Sequence, residues 1–65
     1  MKTVYIVVMD YTNAAVFQYQ HEFMTGYSDA DVITWLELNS LYNESTCYYM
    51  FSEEPIPMQF VEVNN

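Results

Sequence analysis

Residues 3–11 read TVYIVVMDY, with Val4, Ile6 and Val8 on one parity and Tyr5, Val7, Met9 and Tyr11 on the other. β-Branched and aromatic residues dominate, so the stretch predicts a strand. Both of its faces are apolar, which predicts a central strand, or one covered on its second face by a partner. Thr12-Asn13 predicts a turn, because Asn tolerates turn geometry. From Ala14 to Phe23 the pattern changes. Ala15, Phe17, Tyr19, His21 and Phe23 share one parity, and Gln18, Gln20 and Glu22 the other. That alternation predicts a strand with one buried and one wet face, paired with the first as an antiparallel hairpin.

Met24-Thr25-Gly26-Tyr27 forms a connector around the only glycine. Ser28 then stands as an N-cap with Asp31 three residues on, a weak form of the capping box. Asp29 and Asp31 fall in the first turn, where the helix dipole favours negative charge. A helix over Asp29 to Ser40 gathers Val32, Ile33, Trp35 and Leu36 into one arc and sets Asp31, Thr34 and Glu37 opposite. Leu38 and Leu41 land on the polar side, so the helix either stops early or shows them to a partner. Ser45 to Ser52, STCYYMFS, predicts a third strand with aromatics on both parities. Glu53-Glu54-Pro55-Ile56-Pro57 breaks it, because prolines cannot serve a central ladder. Met58 to Val63, MQFVEV, predicts a short fourth strand, and Asn64-Asn65 a frayed end. The expected fold is α+β, in the order β-β-α-β-β: an antiparallel sheet with one helix packed on one face. One helix covers one face only, yet the first and third strands are apolar on both. That mismatch predicts a dimer or a bound partner on the open face.

Composition narrows the picture. With 65 residues the chain is a single domain, 1–65. It carries nine acidic residues against one basic residue, Lys2, for a formal net charge of -8. One Lys and no Arg cannot neutralise phosphates, so direct nucleic-acid binding is not expected. So many uncompensated charges repel one another in the compact state and go to the upper limit of what solubility needs. A basic protein partner would explain the bias; chance on a salt-tolerant fold is the plainer account. Cys47 is the only cysteine, so no internal disulfide can support a domain this small. No His and Cys set could hold zinc, which leaves oligomerisation as the remaining support. The run Val4 to Met9 behind Lys2 ends at Asp10 with no small-residue cleavage site after it. It is also far shorter than the roughly 18–20 residues of a membrane span. With a free cysteine, these features point to a cytoplasmic protein.

No residue pattern identifies a reaction, and an enzyme is not expected. His21 and Cys47 would form a nucleophilic pair only if they met in space with an orienting group, and Cys47 reads as a core thiol. Asp29 and Asp31 are two apart on a helix start and do not face each other. The calcium-loop pattern is absent, and one glycine excludes a phosphate-binding loop. No cofactor or metal is expected. Tyrosine is the compositional anomaly, with seven in the chain. Tyr offers large contact area with a polar tip at low ordering cost, which suits interfaces.

A compact start (MKTVYIVVMDY), a hairpin, one short capped helix, two closing strands and a heavy acidic bias resemble the small acidic accessory proteins of tailed phages and mobile elements. The resemblance spans the chain and rests on size, composition and element order. It implies a viral protein of the host cytoplasm that binds and inhibits a host enzyme, in some cases by imitating DNA charge. A charge of -8 fits partial mimicry or plain docking rather than imitation of a long duplex. The expected function is a non-enzymatic inhibitor or regulator that docks on a basic, nucleic-acid-handling protein. Glu22, Glu37, Glu44, Glu53, Glu54 and Glu62 would steer the encounter, and Tyr27, Trp35 and Tyr42, if exposed, would anchor it. The alternative is a structural or regulatory homodimer, paired through the open sheet face, with no basic partner.

Overall fold

The computed structural model describes residues 1–63. Its elements are β1 (Lys2–Asp10), β2 (Ala15–Phe23), α1 (Asp29–Asn39) and β3 (Cys47–Ser52). The sheet order is β2-β1-β3, with both pairings antiparallel, so the strand that is apolar on both faces is the central one. β2 pairs along all of β1, from Lys2 opposite Phe23 to Asp10 opposite Ala15. β3 covers only the later part, from Tyr5 opposite Ser52 to Asp10 opposite Cys47. Among the described residues no helix is long and apolar enough to cross a membrane.

The hairpin turn at Tyr11–Ala14 is held by Asp10. Its carboxylate accepts from the Asn13 backbone N–H at 3.1 Å and from Asn13 Nδ2 at 2.9 Å. An Asp that closes its own loop in this way sets the local register of the two strands. Ala14 completes the turn with a positive φ of 50°.

The core lies on the even-numbered face of β1. Val4, Ile6 and Val8 are buried there with Phe23 of β2, Cys47 of β3 and Val32 and Leu36 of α1. Tyr19, Tyr27, Trp35, Tyr42, Tyr49 and Phe51 pack around this centre half-buried. Spacing puts Val32 and Leu36 one turn apart on the helix face toward the sheet. Both are 0% exposed, whereas Leu38 on the far side is 79% exposed.

Both ends of α1 are closed by side chains. Ser28 N–H donates to Asp31 Oδ2 at 2.8 Å, and Asp31 N–H to Ser28 Oγ at 3.4 Å, a complete capping box. At the other end Ser40 stops the helix without glycine. Its N–H and Oγ both donate to the Leu36 carbonyl, at 2.9 and 2.6 Å, while Asn39 Nδ2 donates to the Trp35 carbonyl at 2.9 Å. The two Ser40 bonds satisfy the first of the four carbonyls that the helix end leaves without an intrahelical partner. A turn at Asn43, whose side chain accepts from Ser45 N–H at 2.8 Å, then leads into β3.

The expected fourth strand does not form. Residues 58–63 carry no ladder hydrogen bonds, and Met58, Phe60, Val61 and Val63 are exposed. The cause lies earlier in the chain. Glu54 N–H donates to Ser52 Oγ at 3.1 Å, bending the chain out of β3, and Pro55 and Pro57 then hold it extended with two donors missing. The sheet therefore has three strands, and β2 and β3 are both edges.

Candidate docking surface

The side of the molecule that carries α1 gathers rings and carboxylates along β3. Strand alternation turns Tyr49 and Phe51 to the helix side with Cys47. Their rings stack with centroids 6.2 Å apart and 5° between planes. Tyr27 meets Phe51 edge-on at 6.1 Å, and Tyr42 meets Tyr49 edge-on at 5.7 Å. The result is one row, Tyr27–Phe51–Tyr49–Tyr42, running beside the helix. Edge-to-face contacts of this kind are favoured by ring quadrupoles.

Carboxylates stand at both ends of the row. Tyr27 donates from its hydroxyl to Glu53 Oε2 at 3.0 Å. Burial first, then Glu53 and Asp29, hold its phenol above the usual 10.0. Tyr42 is also held above 10.0, by burial first and then by neighbours that include Tyr49, Glu44 and Glu37. Burial raises Tyr49 as well, with Asp29 and Glu44 adding to it. The row thus sits in a negative field with Asp29 and Glu53 at one end and Glu37 and Glu44 at the other. The one ion pair among the described residues is Lys2 Nζ with Glu53 Oε1 at 3.6 Å.

The nine expected contact residues divide accordingly. Tyr27, Tyr42, Glu37, Glu44 and Glu53 come together around the row, and Glu54 comes directly after Glu53 in the bend. Glu22 is exposed on the opposite sheet face, across from Thr3, and Glu62 lies on the exposed tail. Trp35 stands over β2. It stacks on His21 with centroids 4.6 Å apart and meets Tyr19 and Phe23 edge-on, so it is half-buried and works as core wall. Asp29, Tyr49 and Phe51 belong to the row and lie outside the expected set. The parity that Tyr49 and Phe51 share with Cys47 is the sequence signal for those two.

No family model, no curated protein and no solved structure matches this chain.

The chemistry-bearing residues do not converge. Cys47 lies beside Asp10 and His21 beside Val4, six residues apart along β1, or about 20 Å. Cys47 is buried and His21 is packed on Trp35, so the two form no pair. A depression of about 420 Å³ is lined by Phe23, Met24, Thr25, Gly26, Tyr27 and Asp31. Its one carboxylate, Asp31, is engaged in the helix cap. Among the described residues no three His, Cys, Asp or Glu side chains are grouped to hold a metal ion.

The open face has a different character. Val16, Met9 and Tyr48 lie side by side across the three strands, and Gln18, Val7 and Met50 form the next row. Tyr11 meets Tyr48 edge-on at 5.2 Å. Met9, Tyr11, Val16, Tyr48 and Met50 are all exposed. Among the described residues, Glu22 is the only charged strand residue whose parity places it on this face.

Proposed function

We propose that this protein is a non-enzymatic interaction protein that docks its acidic, tyrosine-lined edge on a basic surface of another protein and blocks that surface. The observation that carries the reading is the row Tyr27–Phe51–Tyr49–Tyr42 with Asp29, Glu53, Glu44 and Glu37 at its ends. Four carboxylates with a single cation, Lys2 on Glu53, steer a basic partner, and half-buried rings offer contact area that is already ordered. A nucleic-acid-handling protein supplies such a basic groove. Duplex DNA carries a charge about every 1.7 Å of axis, whereas Asp29 and Glu37 are about 12 Å apart along α1. The edge therefore suits partial charge mimicry in a short groove, not imitation of a long duplex.

The test is capture from bacterial lysate with tagged wild type and with a Glu37→Gln/Glu44→Gln variant, washed through a salt series. The expected result is a single protein held by the wild type, released by about 0.5 M salt and lost from the variant. A partner held equally by both proteins and indifferent to salt overturns the charge mechanism.

A further inference from the structure

We infer that the segment Met58–Val63 pairs, in a second copy of the chain, with the free edge of β3, so that two molecules exchange their C-terminal segments as fourth strands. Tyr11 N–H donates to the Thr46 carbonyl directly opposite it, at 3.0 Å. Antiparallel pairs alternate, so Tyr48, Met50 and Ser52 face β1 with their hydrogen-bonding groups, and Tyr49 and Phe51 turn theirs outward. Cys47 fits this phase, since its N–H goes to the Asn43 carbonyl at 2.9 Å and not to β1. Among the described residues nothing pairs with the outer edge of β3. Natural sheets blunt such edges with Lys, Pro, inward charges or a covering loop. β3 reads CYYMFS and carries none of these residue types.

The segment that would fill the edge is in the same chain. MQFVEV alternates Met58 and Phe60 against Val61 and Val63, and these four are 62%, 95%, 73% and 74% exposed. A strand apolar on both parities belongs next to another of the same kind. β3 offers Tyr49 and Phe51 on one face and Tyr48 and Met50 on the other. β2, the other edge, presents Gln18, Gln20 and Glu22 on one face and is the poorer match. The linker directs the segment outward. The bend at Ser52–Glu54 leaves the strand, and Pro55 and Pro57 stiffen the next stretch of chain into an extended spacer. In this structure the spacer does not bring the segment back onto its own strand, whereas reciprocal exchange with a second copy closes with two-fold symmetry.

Salt separates this dimer from a complex with a basic partner. Two chains of charge -8 repel, so added salt tightens the exchanged dimer while it loosens a basic complex. The experiment is sedimentation equilibrium of the full chain and of Val61→Pro, with amide hydrogen exchange on both. Val61 is exposed, so the substitution leaves the core intact and removes a ladder donor. The expected wild type is a dimer, strengthened by salt, with the Tyr49 and Phe51 amides protected. Val61→Pro should have half that mass and lose that protection. A wild type monomeric up to the order of 100 µM overturns the inference, as does a dimer that survives Val61→Pro or protects β2 instead.

Discussion

The Tyr27 hydroxyl donates to Glu53 Oε2 at 3.0 Å, while the other oxygen of that carboxylate lies 3.6 Å from Lys2 Nζ. One side chain therefore joins the connector before α1, the bend after β3 and the first residue of β1. Burial first, and then donation to that carboxylate, hold the phenol in its protonated form. Glu53 is both a structural tie and the end of the acidic row, which links the stability of the edge to its charge.

The three tyrosines of the row should make the fold sensitive to alkali. Tyr27, Tyr42 and Tyr49 are each held above 10.0, with burial the largest cause in every case. A phenol whose folded pKa is raised favours folding while protonated. That contribution is complete below the unfolded pKa of about 10 and is lost as pH climbs through the folded value. Absorbance titration of phenolate, tracked together with circular dichroism, should show a late component that ionises as the fold is lost. Tyr49→Phe should reduce its amplitude. Ionisation of all seven tyrosines in one step with the fold intact would contradict this.

At the acid end the hairpin should respond in the opposite sense. The Asp10 carboxyl is held below the usual 3.8, first by the Asn13 side-chain hydrogen bond and then by the Asn13 backbone. A depressed folded pKa favours folding while ionised. Its contribution is present above about pH 4 and disappears as pH falls through the folded value. Asn13→Ala should therefore melt below wild type at neutral pH, with the gap narrowing as pH falls below about 4. A gap that stays constant with pH would mean that Asn13 acts on the turn without acting through the carboxylate.

Ala14 sits at φ 50°, a left-handed conformation that an L side chain adopts at a cost of roughly 1–2 kcal/mol. Ala14→Gly removes that cost and gives back part of it as extra freedom in the unfolded chain. The net effect should be a gain of about 0.5–1 kcal/mol, a rise in Tm of a few degrees for a domain of this size. Lower stability in the glycine variant would show that the Ala14 methyl contributes more by packing than it costs in backbone strain.

Most of the fold is legible in the chain because two signals agree. Parity places Val4, Ile6 and Val8 on one face, and both-sided apolarity makes β1 central. Ser28 and Asp31 mark the helix start, and their side chains form the cap in both directions. MQFVEV misleads because strand composition describes what a segment could pair with, not whether the chain delivers it there. Two prolines and a serine-closed bend decide that question, and both are local. Trp35 is left open by the sequence for a different reason. Helical periodicity puts it in the apolar arc, which favours the core without deciding it, and the stacking partner that holds it half-buried, His21, comes from a strand. The aromatic row is only half legible for the same reason, since Tyr27 reaches Phe51 across elements that no pattern within one element connects.

The two helix leucines give the sharpest test of which α1 face holds the fold together. Leu36 is 0% exposed in the core cluster it shares with Val32 and the sheet residues, and Leu38 is 79% exposed on the other side. Truncating a buried leucine loses its transfer free energy and leaves a cavity, about 2–5 kcal/mol together. A single small domain holds only about 3–5 kcal/mol from its core, so Leu36→Ala should leave the chain largely unfolded at room temperature. Leu38→Ala, which removes a solvated side chain and installs a better helix former, should change stability by no more than about 0.5 kcal/mol. Urea unfolding monitored by Trp35 emission reads both variants, because Trp35 stands on the same helix and packs on β2. Equal losses in the two variants would mean that Leu38 is covered in solution, and the helix face that carries it would then have to be counted as an interface.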